Sequence, residues 1–186
     1  MRNFKFFSKG FNKGFNMGFS LMELLVVVTL GSLLLSIALP HFGDLIDRFR
    51  LITASRTLVS AISLARSEAI RRGVRVDLVP ASSHDWSRGW LVIMDANNNQ
   101  QCDSGETSLH ASGAQPEGLR IVASLRDAKK TYLAFDPSGR PRSAASSAVP
   151  QFGSFLLSVG PHQSKIVIGF LGRVRVCDPV KEGAAC

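Results

Sequence analysis

Cysteine is scarce in this chain: there are three among 186 residues, Cys102, Cys177 and Cys186, at spacings that match no zinc or thiol-redox motif. The four histidines, His41, His84, His110 and His162, are scattered singly, so no Cys/His metal site is expected. Also missing are a G-x-S-x-G elbow, a phosphate-binding glycine loop and a dinucleotide fingerprint. Isolated Asp and Ser residues serve turns and caps far more often than catalysis. The sequence therefore points away from an enzyme and calls for no cofactor.

Acid is missing from residues 1–18, which carry Arg2, Lys5, Lys9 and Lys13. The formal charge of +8 is unevenly placed: residues 19–119 hold eight Lys/Arg against ten Asp/Glu, and residues 120–186 hold ten against four. A local basic excess near the C-terminal end points to an anionic partner, although a solvated basic face gives the same composition. With 45% apolar and 19% charged residues the chain is not a disordered one.

From Phe19 to Leu39 the only polar side chains are Ser20, Glu23, Thr29, Ser32 and Ser36. At ~1.5 Å per residue such a run is long enough to cross a hydrocarbon core of roughly 30 Å. It is too long for a secretory signal, and no small-x-small site closes it. With the basic block ahead of it, the N-terminus is expected to stay cytoplasmic and the remainder to cross the membrane. Glu23 is costly in hydrocarbon and needs a partner of opposite sign. A terminal ammonium at Phe19, freed by a cut after Gly18, would be one.

These residues resemble the type IV prepilin signature: a basic leader ending in Gly, then Phe, then Glu as fifth residue of the mature chain. Before Glu23, Gly-Phe occurs at Gly10, Gly14 and Gly18, and only Gly18-Phe19 puts Glu23 in fifth place. The resemblance implies cleavage and N-methylation at Phe19 by a prepilin peptidase. It also implies that Glu23 neutralises a neighbouring subunit's N-terminus during assembly.

Pro40 predicts a kink or melted turn near Ala38 to Pro40. The helix is then expected to resume, with Leu45, Phe49, Ile52, Val59 and Ile62 at helical spacing and Leu51, Leu58, Ala65 and Ala69 on the adjoining flank. Arg71-Arg72-Gly73 should end it. Beyond Gly73 the period changes to strands at 74–79, 90–95, 119–124, 131–136, 154–159, 165–170 and 173–177. The expected class is α+β, a long helix packed on an antiparallel sheet, divided as leader 1–18, membrane half 19–39, amphipathic half 40–72 and β-rich domain 73–186. Residues 137–153 read as a mobile surface loop.

The stretches GWLVIMDANNNQQCDSGE, FDPSGR and KIVIGFLGRVRVC resemble the GspH/FimT family of minor pilins and pseudopilins. The resemblance implies a filament subunit made at the bacterial inner membrane with its globular domain periplasmic. It serves either in a type IV pilus or in a type II secretion system, and the FimT branch is associated with DNA uptake in natural transformation. That branch's G-R-x-R mark is matched by Gly172-Arg173-Val174-Arg175. On a strand Arg173 and Arg175 would share one face ~6.6 Å apart, with Val174 and Val176 toward the core. Lys165, and Arg140 and Arg142 of a second G-R-x-R, would widen a patch that holds double-stranded DNA by its backbone, without reading sequence. An oxidising compartment should join Cys177 to Cys186 and leave Cys102 odd. Asp95, Asn97, Asn99, Gln101, Asp103 and Glu106 fall at calcium-loop spacing, but Gln100 stands where the turn glycine belongs, so a polar hairpin loop is the expectation.

Overall fold

The computed structural model describes residues 20–82, 84–127, 131–144, 146, 148–183 and 186, without the side chains of 37–41. Gly18 and Phe19 lie outside these residues. One helix, α1, runs from Leu21 to Arg72. Ser20 starts it: its carbonyl accepts from the N–H groups of Glu23 and Leu24, and its hydroxyl lies 3.4 Å from the Glu23 nitrogen. Ser-x-x-Glu is a capping-box pattern, and Glu23 in the first turn also suits the helix dipole. The helix ends as its sequence implies, with Arg71 and Arg72 followed by Gly73 at φ +68°, whose N–H donates to Ala69.

Helical assignment is unbroken across Pro40, which corrects the melted turn expected there; a proline removes one donor, and the helix on both sides supplies the rest. The chain divides at Phe42/Gly43 into two compact units. In the first, the side chains from Leu21 to Ser36 are almost all exposed. Among the described residues no helix is long and apolar enough to cross a membrane. The span expected over 19–39 includes residues beyond that description.

In the second unit two antiparallel sheets share the core. The first has the order β3-β2-β1-β5-β6, where β1 is Val76–Pro80, β2 Trp90–Met94, β3 Thr107–Ser112, β5 Leu133–Phe135 and β6 Pro141–Arg142. The second has the order β4-β7-β8-β9, where β4 is Arg120–Leu125, β7 Gly153–Val159, β8 His162–Ile168 and β9 Val174–Cys177. A short helix, α2 (Pro179–Glu182), follows, capped by the Asp178 carboxylate.

The helix face that meets the sheets is Leu51, Ala54, Leu58, Ala61, Ile62, Ala65 and Ala69. Four alanines let the backbones approach closely, and Leu58 and Ile62 fill the space between layers with Trp86, Phe135 and Phe155. Trp86 meets Phe155 edge to face at 4.7 Å. Leu45, Phe49 and Ile52, expected to face the core, are instead exposed. The core side is the flank carrying alanines.

Asp77 is fully buried in β1, and Arg75 grips it from two nitrogens at 2.7 and 2.9 Å. Burial nevertheless pushes the Asp77 carboxyl up to about 6, against the pull of Arg75. A raised carboxyl pKa means that the folded state holds the proton more tightly than the unfolded one. Its contribution to stability is full below the unfolded value near 4 and is lost as pH rises through about 6, by up to ~3 kcal/mol. Thermal melts should therefore show wild type losing ground against Asp77→Asn as pH rises from 4 to 7. A constant difference would show that Asp77 is ionised throughout that window.

Candidate nucleic-acid interface

The β8–β9 hairpin presents the arginine pair. Its turn is closed by the Gly172 N–H donating to Gly169 O at 2.8 Å, with Gly169 N–H donating to Arg173 O at 2.9 Å. Gly172 has φ +81°, and a Cβ there would meet Gly139 O at 2.9 Å. Glycine is thus demanded twice, by backbone conformation and by contact. The contact is informative, because Gly139 opens the second G-R-x-R: the two motifs touch through their glycines. Arg66 of α1 stands beside both, its Nη1 donating to Gly172 O at 3.0 Å. Sequence reading missed Arg66, since an arginine on an amphipathic helix has no signal separating it from a solvated one.

Arg173 lies one residue before β9 and Arg175 within it; both are exposed. Register pairs Arg175 with Val167 and Cys177 with Lys165, so Lys165 and Arg175 share the face turned away from α1. Register also adds Arg120 of β4, through Ser158 of β7 and Gln163 of β8. One step past the strands, Arg126 N–H donates to Phe152 O, placing Arg126 on this face as well. The period-two pattern Arg120, Val122, Ser124, Arg126 was the available signal for the last two.

Val174 packs against the core, but Val176 is 50% exposed. This corrects the expectation that both valines are core: β9 is an edge strand, and Val176 lines a groove beside Ile52 and Arg56 of α1. Arg142 is half-buried. Its Nε donates to Asp136 at 2.8 Å and its side chain is only 18% exposed, so it braces the β5–β6 hairpin, while Arg140 stays exposed. Partial burial of Asp136 opposes its charge. Hydrogen bonds from Arg142, Ser138 and the Arg140 N–H outweigh that and hold the carboxyl at about 2. Residues 137–153 are thus partly built into β6 and a bridge from Arg142 to Pro150, not a loop throughout.

Cys177 and Cys186 are joined as a disulfide, and Cys102 is free and exposed. In the 95–106 loop the carboxylates are taken by amides. Asp95 accepts from the N–H groups of Asn99 and Gln100, Asp103 from the side-chain amides of Asn97 and Asn99, and Glu106 from the N–H groups of Ala96 and Asp103. Among the described residues no group of His, Cys, Asp and Glu converges as a metal site. Asn98 and Gln100 have positive φ, so the chain turns there without the calcium-loop glycine.

The model of the family described as Type II transport protein GspH matches residues 54–172, ending just before Arg173. The pilin-like protein PilA1 of Thermus thermophilus is 32% identical over 159 residues, covering 84% of this chain and 96% of its own. Two crystal structures of the Pseudomonas aeruginosa type IV minor pilin FimU share the fold. One has a TM-score of 0.55 and 18% identity over 72% of this chain and 92% of that one. The other has a TM-score of 0.53 and 17% identity over 70% and 94%. A long N-terminal helix on antiparallel sheets, a GspH match over most of the length and a pilin-like relative together place the chain in the GspH/FimT family of type IV pilin-like proteins, the structural minor pilins and pseudopilins.

Proposed function

We propose that the chain is a minor pilin of a type IV pilus that holds double-stranded DNA by its backbone for uptake in natural transformation. In this reading residues 1–18 are a leader, and a prepilin peptidase cuts after Gly18 and methylates Phe19. Residues 19–39 anchor the subunit in the inner membrane, with residues 73–186 periplasmic, until it enters the filament. Glu23 then neutralises a neighbouring subunit's N-terminus, and the exposed apolar stripe of Leu45, Phe49 and Ile52 suits contact with other pilins.

The observation that carries the DNA reading is the face of the second sheet. It gathers Lys165, Arg173, Arg175, Arg120 and Arg126 on one side of four strands. Guanidinium and ammonium groups spread over a flat sheet suit phosphates, which position a duplex without specifying its sequence. Arg140 stands at the margin of the face, and Arg142 supports the fold beneath it. The second reading is a minor pseudopilin of a type II secretion system, favoured by the family whose model matches residues 54–172. Fluorescence anisotropy of the full-length chain in detergent, with duplexes of unrelated sequence at low salt, separates the two. Equal affinities support the pilin reading, and no binding to any duplex moves the account to the pseudopilin.

A further inference from the structure

The basic face contains a feature that duplex binding does not use. Between Lys165 and the hairpin tip lies a hollow of about 370 Å³, at the low end of ligand-site volumes of roughly 300–1,000 Å³. Val167, Ser154 and Gly169 line it together with Phe152 and Phe170, and Cys186 borders it beside Lys165. These rings are 40% and 61% exposed, a costly arrangement for two large aromatics unless something covers them. Cations border them: the Arg126 guanidinium sits 5.5 Å from the Phe152 ring centroid, Lys165 lines the hollow, and the Arg173 backbone pairs with Gly169 at the turn. Gly169 keeps the space open for want of a side chain. A Cβ there would make only an ordinary 3.7 Å contact with Arg173 O, so the backbone does not demand glycine.

Resting on the DNA reading above, we propose that this hollow receives an unstacked nucleobase, and that the chain binds single-stranded DNA in preference to duplex. In a duplex the flat faces of the bases are stacked on each other and only phosphates reach this surface. A single strand offers both chemistries at once, phosphates to Lys165, Arg126 and Arg173 and a base face to Phe152 or Phe170. Cations tracking a backbone beside aromatic platforms are the general solution for single strands. The occupant is set by charge: an apolar pilin surface would gain nothing from Arg126 over the Phe152 ring and Lys165 in the wall.

The test compares a short oligothymidylate, its duplex with oligoadenylate, and an abasic strand with the same phosphates, all titrated with the full-length chain in detergent at one low salt concentration. The single strand is expected to bind at least about tenfold more tightly than either of the others, the size of one base–aromatic stack. Phe152→Ala with Phe170→Ala should remove that advantage and leave duplex affinity unchanged. Gly169→Leu, which fills the hollow and keeps both rings, should do the same. Equal binding of the three ligands by wild type, or a preference that survives in the variants, overturns this inference while leaving duplex binding through Arg173 and Arg175 standing. Loss of all DNA binding in wild type removes both.

Discussion

Replacing Gly18 by a bulky residue leaves the full-length chain uncut, longer by residues 1–18 and visible as such on a gel of the membrane fraction. The expectation rests on the basic leader and on Glu23, the single carboxylate in the apolar run. An ionised carboxylate in hydrocarbon costs several kcal/mol unless an opposite charge meets it, and a new N-terminus at Phe19 of a neighbour is such a charge. Glu23→Ala should accordingly still be cut yet fail to enter sheared filaments. Because Glu23 also occupies the third helical position after Ser20, loss of a cap must be told from loss of charge. Glu23→Gln keeps a capping partner and lacks the charge. If Gln assembles as wild type does, charge neutralisation is wrong; if the Gly18 variant is processed normally, the prepilin reading is.

Arg173→Gln with Arg175→Gln should reduce duplex affinity at low salt by on the order of a hundredfold, two charged hydrogen bonds at ~1.5 kcal/mol each. The domain should remain folded, because both side chains are exposed and neither is among the core residues. Circular dichroism and the melting temperature check this. Arg140→Gln should cost less, since Arg140 lies off the sheet face. Arg142→Gln should behave differently in kind: it breaks the 2.8 Å pair with Asp136 and is expected to lower the melting temperature more than the DNA affinity. Undiminished duplex binding by the Arg173/Arg175 variant would refute the assigned site.

The fold class was legible because the apolar period changes at Gly73, and helices and strands announce themselves by period. The division into two sheets was not. β6 is two residues long, and β3 reads TSLHAS, too polar to stand out from a loop. Which stripe of α1 faces the sheets was also hidden: two apolar stripes lie on adjoining flanks, and only packing decides that the alanine-bearing one is inside. The arginine pair was readable because G-R-x-R is local. The pairing of Arg142 with Asp136 was not legible, because the two meet only through the hairpin's backbone. Arg120 and Arg126 join the face through register across four strands, which composition does not reveal.

The most direct test of the DNA-holding pilin is the salt dependence of duplex affinity for the full-length chain. Each neutralised phosphate releases counterions, so three or four contacts predict a slope of log K against log salt of about −3. The Arg173/Arg175 variant should fall to about −1, one unit lost per arginine. A wild-type slope near zero, or two superposable lines, would contradict the account.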